Sequence, residues 1–394
     1  MRSHVSGRRE LDRHDQQDPW ASDGVGRPRC PVAHGSDGTW TLSRHADVVA
    51  AARDDVTFSN ATSRFLKVPN GLDGDEHTAF RTLIDRYFTA DRLAELHPVI
   101  ERIADEVVRD AVAGTDPGLG TRVDAVALGA RFAVRASCAW LGWPADLSDE
   151  LLEWIAANRA ATRSGELERT ADVAAWFDRV VHQQVVARRA ALEGPASSTA
   201  PDVTAQLVAD ESLGRPLTDA ELTSILRNWT GGDLDSLALC AGVVLAYLAD
   251  HPCLQDRVRS GVSDRELDAI VDETLRIDDP FASNRRVATT DTVVHGRHVR
   301  AGERVALSWA AANRDPEVFG DPDAFDPVGN AAHNLVYGTG RHVCPGRGLA
   351  TMELRLLTRA VLARSMAMTA DPDRARERSL PPSGGYSRVP LLLH

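Results

Sequence analysis

Residues Tyr337–Ala350 read YGTGRHVCPGRGLA, and one cysteine, Cys344, stands between two glycine-rich turns. Gly338, Gly340 and Gly346 let the backbone take left-handed or very tight conformations that a side chain would resist. Pro345 suits the start of a helix, and the LATMELRLLTRAVLA that overlaps and follows has helical apolar spacing. The pattern predicts a rigid loop holding one sulfur at a helix N-terminus. There the unpaired amides and the positive end of the helix dipole favour a thiolate. A lone thiolate in such a cage suits a metal that needs one strong protein ligand, and haem iron is the main example.

Composition sets the limits around this loop. The chain has 394 residues, 43% hydrophobic and 26% charged, as expected of a globular protein with a large core. A net charge of −12 argues against nucleic acid or an anionic membrane surface as a partner. Lys67 is the one lysine, so nearly every cation is an arginine with a fixed fork for carboxylates. Cys30, Cys138, Cys240, Cys253 and Cys344 form no CxxC or paired pattern, which points to a reducing cytoplasm. The N-terminus has no apolar signal core, and the uncharged run Ser236–Ala249 falls short of the roughly 20 residues a membrane span needs.

Residues 1 to about 35 lack periodicity and read as a flexible segment; residues 36–394 read as a single domain. Gly38–Leu42 predicts a strand and His45–Ala52 a helix, followed by turns from Phe58 to Gly74. Asp75–Thr89 is amphipathic at helical spacing, with His77 and Arg81 on one face. From Leu93 to Leu192 helix follows helix, and Gly194–Pro201 is a short small-residue linker. Thr218-x-x-Glu221 is a capping box opening a helix to about Asp250, on the order of 50 Å long. Its middle, RNWTGGDLDSLALC, breaks helix rules with paired glycines and aspartates, which marks a functional position. Glu273 and Arg276 lie three apart on a further helix; alone they read as a surface ion pair worth under about 1 kcal/mol. His295-Gly296 and Ala301-Gly302 predict β-turns, and Pro381–Leu393 a small β element.

Taken together, these motifs resemble the cytochrome P450 superfamily. Tyr337, Gly338, Gly340, His342, Cys344 and Gly346 fit its haem-binding loop, with tyrosine where phenylalanine is usual. The resemblance covers about nine-tenths of the chain. It implies a mainly α fold with a small β region and haem b (iron protoporphyrin IX) between a long central helix and the Cys loop. Cys344 would be the iron ligand, while His77, Arg81, Arg286 and His342 would contact the haem propionates. Glu273 and Arg276, completed by Arg314, would form the family's buried structural network. Counting back from His251-Pro252 puts Asp235 and Ser236 at the family's acid and alcohol positions, for proton relay and hydrogen bonding to dioxygen. Sliding one residue to fit Gly231-Gly232 would instead place Leu234 and Asp235 there.

The implied activity is a monooxygenase that uses dioxygen and two electrons from a ferredoxin and ferredoxin reductase. The donor would dock near Arg341, Arg347 and Arg355. Arg64, Phe65, Asn228, Trp229, Gly232, Asp233, Phe281 and Asn284 would line an unusually polar substrate pocket. A polar natural product, such as a small molecule or aromatic peptide of secondary metabolism, fits that pocket better than a terpene or fatty acid. Hydroxylation and oxidative aryl cross-linking of a peptide both remain open. So do a peroxide-driven enzyme and a non-catalytic haem or ligand-binding protein.

Overall fold

The computed structural model describes residues 30–113, 120–193, 201–380 and 383–394, without the side chains of residues 231–233. The flexible stretch expected before residue 30 and the linker at 194–200 lie outside the described residues. The expected N-terminal boundary moves, because β1 (Val32–His34) pairs antiparallel with β2 (Thr39–Leu42) and Val32 is buried. Backbone pairing, not local periodicity, orders this strand.

The chain continues through α1 (His45–Arg53), β3 (Phe58–Ser59), α2 (Gly74–Asp85), α3 (Ala90–Val112) and β4 (Thr121–Asp124). Then follow α4 (Ala125–Leu141), α5 (Leu147–Ser164), α6 (Leu167–Glu193) and α7 (Val203–Val208). The central helix α8 (Asp219–Asp250) leads to α9 (Pro252–Arg259) and α10 (Asp264–Ile277). Strands β5 (Ser283–Ala288), β6 (Thr292–Val294), β7 (Arg297–Val299) and β8 (Arg304–Ser308) come next. The short helices α11 (Trp309–Ala312) and α12 (Pro316–Phe319) precede α13 (Arg347–Ala363). Strands β9 (Met368–Ala370), β10 (Glu377–Arg378), β11 (Tyr386–Arg388) and β12 (Pro390–Leu393) end the chain.

The capping box forms as the sequence predicts: Thr218 Oγ1 accepts from the Glu221 amide at 3.2 Å, and Glu221 accepts from the Thr218 amide at 2.8 Å. Arg215 pairs with the same carboxylate at 2.6 Å and is the chief reason its pKa falls to about 2. From there α8 runs through the main core. Its apolar stretch would pass for a membrane span by length and composition, but 81% of that stretch is buried inside the fold. Glycine lets α4 and α8 pack closely: a Cβ on Gly129 would stand 2.6 Å from Ala241 Cβ, and one on Gly242 2.7 Å from Val126 Cγ2.

The β region is one five-stranded sheet, ordered β1-β2-β8-β5-β3, with small satellite sheets. Only the β2–β8 pair of that sheet is parallel. Its residues Leu42, Phe58, Val305 and Leu307 form a second apolar cluster with Val48 of α1 and Trp309 of α11. The β6–β7 hairpin turns at His295 and Gly296 with φ of 47° and 75°, the positive pair a two-residue turn requires. Strand β4, inside the stretch from Leu93 to Leu192 where helix after helix was expected, pairs with β12 at the other end of the chain.

Glu273 and Arg276 are not a surface pair; they are 2% and 0% exposed. Arg276 bonds Glu273 through Nε and Nη2, both at 2.8 Å, and donates to the carbonyls of Asn313, Pro322 and Ala324. All five guanidinium N–H groups are thereby used. Glu273 also accepts from the Asp326 amide and from Asn330 Nδ2. Arg314, expected to complete this network, flanks it through bonds to the Ile277 carbonyl and Asp323. Removing one partner strands a buried charge, so Arg276→Met should lower the unfolding free energy by about 3–5 kcal/mol. A urea titration of both proteins checks this; a loss under about 1 kcal/mol would mean that the pair is solvated.

Candidate active site

The loop carrying Cys344 is built from backbone constraints. Gly338 and Gly340 have φ of 71° and 76°, and a Cβ on Gly340 would lie 2.8 Å from the Ala52 carbonyl oxygen on α1. The Cys344 amide donates to the Tyr337 carbonyl at 3.0 Å, which closes the loop. Arg81 of α2 clamps it from outside, donating to the carbonyls of Val343 at 2.6 Å and Arg341 at 3.3 Å and pairing with Asp85. That guanidinium, expected on a propionate, makes these bonds to the loop. Pro345 lies two residues before the first helical residue, with Gly346 as the cap of α13. Cys344 is exposed and in no disulfide. Tyr337 is partly buried, its hydroxyl 2.9 Å from Thr351 Oγ1, and desolvation of the phenol raises its pKa.

Beside this loop lies a buried polar cluster. The His77 and His342 rings lie against each other at a tilt of 44°, with centroids 4.0 Å apart. His77 is 1% exposed, and its Nδ1 has no hydrogen-bond partner among the described residues. Asn60 Nδ2 is 2.8 Å from His342 Nε2 and also donates to Asp73; with Asn60 donating, the His342 ring keeps a proton on Nδ1. Burial, then the neighbouring His77 and Arg286, lower the His342 pKa to about 4, so its 3.6 Å approach to Asp73 is not an ion pair at neutral pH. Arg286 is 4% exposed and donates to its neighbour's carbonyl at Arg285, and burial lowers its pKa to about 10.

A buried arginine held by one backbone carbonyl, and a buried histidine nitrogen with no partner among the described residues, fit a group that brings its own anions, as haem does with its two carboxylates. His77, Arg286 and His342 could hold those carboxylates, and Cys344 the iron. Asp55, Asp73 and His342 present ligand-type atoms within 4.8 Å of one another, but Arg286 and Arg341 share that space and repel a cation.

On the facing helix α8, Leu234 is fully buried while Asp235 and Ser236 are half-buried. The Asp235 carboxylate pairs with Arg159 of α5 at 2.5 Å. Both residues line a small chamber of about 60 Å³ with Asn158, Arg163, Ser379, Ser383 and Ser387. Of the expected pocket residues, Phe281 bridges to Ser383 at this chamber. A separate cleft of about 590 Å³ opens between Phe65 and Leu66, α6 and the start of α8, and Arg227 and Asp178 pair at its wall. Arg64 lies over the Phe65 ring at 5.0 Å.

Three pocket expectations are corrected. Trp229 is 6% exposed and packs against Tyr87, Phe88 and Trp140. Asn228 turns the other way and donates to the Val68 carbonyl. Asn284 is exposed on β5 and lines neither opening, and the side chains of Gly232 and Asp233 lie outside the described residues. Asn158, Arg159 and Arg163 were missed, because polar residues on an ordinary amphipathic helix carry no local signal.

The family model described as cytochrome P450 matches residues 165–386, more than half of the chain. The chain belongs to the cytochrome P450 family. Among curated relatives of this P450 is erythromycin C-12 hydroxylase of Saccharopolyspora erythraea, 28% identical over 90% of this chain and 89% of the relative. Cyclomarin C epoxidase CymV of Salinispora arenicola is 31% identical over 82% and 83%. Among solved structures, a P450 EryK mutant in complex with erythromycin B superposes with a TM-score of 0.80 at 28% identity, covering 93% of each chain. HmtN, a post-tailoring hydroxylase involved in himastatin biosynthesis, gives 0.79 at 25% identity, covering 93% of this chain and 95% of that one. The protein is thus a monooxygenase-type oxidoreductase that uses haem and dioxygen.

In this P450 the strand entering the chamber is held by Asp279, which accepts from the Phe281 amide and from Asn313 Nδ2, both at 2.8 Å. Burial raises the Asp279 pKa from 3.8 to about 8. The folded state therefore binds this proton more tightly than the unfolded chain. Its stabilisation is complete below the unfolded pKa and is lost as pH rises through the folded one. Between about pH 4 and pH 8 the native protein should lose stability relative to Asp279→Asn. Urea midpoints across that range check this, and parallel curves for the two proteins would contradict it.

Proposed function

We propose that this P450 is a tailoring monooxygenase of secondary metabolism acting on a large, polar natural product. The observation that carries the reading is the lining of the inner chamber, where Asn158, Arg159, Arg163, Ser379, Ser383 and Ser387 surround Asp235. A hydrocarbon substrate would leave these groups without partners, at a cost of about 1–3 kcal/mol each where they are desolvated. The wider cleft, with exposed Phe65 and Leu66 beside Arg227 and Asp178, suits a molecule with both apolar and polar faces. The relatives named for erythromycin, cyclomarin C and himastatin biosynthesis support the same class.

In this reading Cys344 holds the iron of haem b, and His77, Arg286 and His342 bind the propionates. Arg81 and the two loop glycines keep the sulfur in place. The bound haem supplies dioxygen activation, with the thiolate donating electron density to the iron. Asp235, at the chamber wall, and the adjacent Ser236 are the acid and alcohol that hold and pass protons. Arg159 ties Asp235 to α5, and both side chains keep part of their surface open to solvent. Phe281, anchored through Asp279 and bridged to the chamber residue Ser383, meets the substrate beside the chamber.

Electrons come from a ferredoxin and its reductase. Arg341 and Arg347 are exposed beside the Cys loop, and both already touch carboxylates, Asp55 and Asp272. Arg355, expected to join them, is buried and bonded to Asp268, so it is excluded from that surface.

Incubation with macrolide and cyclic-peptide candidates, a ferredoxin and its reductase should give a product heavier by one oxygen. A loss of two hydrogens instead would identify oxidative cross-linking. Tight binding of fatty acids or terpenes with none of the polar candidates would contradict the substrate class. Asp235→Asn should slow product formation by roughly 10²-fold, the usual contribution of a positioned proton donor. An unchanged rate would remove Asp235 from the relay.

A further inference from the structure

An aromatic ladder leads away from the Cys loop, and the binding of haem and substrate does not require it. A Cβ built on Gly346 would lie 3.8 Å from Cys344 Sγ and 3.5 Å from a ring carbon of Phe88, so the Phe88 ring abuts the loop beside the sulfur. The centroid of Phe88 is 5.0 Å from that of Trp140 and 5.7 Å from that of Trp229. Trp140 and Trp229 are 5.1 Å apart, and Trp229 is 5.2 Å from Tyr87. The interplanar angles run from tilted to edge-on, the ordinary geometry of packed rings. At the far end, the Tyr87 hydroxyl donates to Asp210 at 3.3 Å, and Asp210 is also bonded to Arg86.

We infer that this ladder is a route for withdrawing an oxidising equivalent from the haem centre to Tyr87 when the chamber holds no substrate. The inference rests on the haem-thiolate reading. The oxidant is haem that hydrogen peroxide, or dioxygen with two electrons, has raised above its ferric state. Tyr87 loses one electron, which passes through Trp229, Trp140 and Phe88 and reduces the haem by one equivalent. Its phenolic proton moves to the Asp210 carboxylate, giving a neutral tyrosyl radical.

Two features make Tyr87 the terminus. Trp229 Nε1 has no hydrogen-bond partner among the described residues, so an oxidised indole there has no base for its proton and passes the charge on. Tyr87 has such a base. Burial works against ionisation of Asp210, but bonds from Ser212 and the Arg86 charge outweigh it and hold the carboxyl below its usual range. It is therefore charged at neutral pH, and an oxidised phenol is acidic enough to protonate it. Substrate in the chamber competes for the same oxidising equivalent, so the route matters only when the chamber is empty.

The chain has four tyrosines, which makes assignment direct. Haem-loaded, substrate-free protein is mixed with hydrogen peroxide, frozen rapidly and examined by electron paramagnetic resonance. The native protein should give a tyrosyl signal that Tyr87→Phe loses and Tyr337→Phe keeps. Asp210→Asn should also weaken the signal, and Tyr87→Phe should bleach its haem faster under peroxide. The proposal is overturned if the signal survives in Tyr87→Phe, if Tyr337→Phe abolishes it, or if native protein with an intact thiolate–carbon monoxide band yields no tyrosyl radical. Absence of that band in the native protein would refute the haem-thiolate reading itself, and the ladder would fall with it.

Discussion

Arg276 is wholly buried, and each of its N–H groups ends on Glu273 or on a carbonyl of residues 313–324. This pair is the constraint on which the Cys side of the molecule depends. A charge in the interior is tolerated only with complete hydrogen bonding, so the arginine dictates where the irregular chain after α12 must run. Asp326 and Asn330 bond Glu273, Asn334 bonds the Asp272 carbonyl, and the Leu335 amide bonds Asn313. Tyr337, where the glycine loop begins, is two residues further on. A segment of little regular secondary structure thus reaches Cys344 with its path fixed.

From the other side, α1 and α2 complete the mould. Gly340 approaches the Ala52 carbonyl as only a glycine can, and Arg81 holds the loop carbonyls. The same helix α2 presents His77 beside His342, with Arg286 entering from β5. These elements bring two histidines and a buried arginine together, with His77 Nδ1 lacking a partner among the described residues. Burial weakens the cationic forms of both histidines and of Arg286, which is the electrostatic mark of a site completed by an anionic group. In the proposed reading the sulfur holds the iron of a haem and this cluster its two carboxylates.

Much of this was legible because the features are local. Left-handed glycines around Cys344, the Thr218–Glu221 box and the His295-Gly296 turn each state their backbone requirement within a few residues. Other features depend on distant partners. Strand β4 exists because β12 pairs with it across the length of the chain, and nothing in Thr121–Asp124 says so. Trp229 was assigned to the pocket from its place on α8, yet helix rotation turns it into a cage of three other aromatics. Arg159 and Arg163 look like solvated arginines on an amphipathic helix until α5 is laid over α8. Arg355 shows the reverse: a charged residue near the Cys loop reads as surface, but Asp268 of α10 takes it into the interior.

The central claim is that Cys344, in its glycine-built loop, is the thiolate ligand of a haem. The most direct test is the carbon monoxide difference spectrum of the reduced, haem-loaded protein, with Cys344→Ser measured alongside. The account predicts a strongly red-shifted Soret band in the native protein and its disappearance in the variant. A well-folded, haem-loaded native protein without that band, or a variant that keeps it, would contradict the assignment of Cys344.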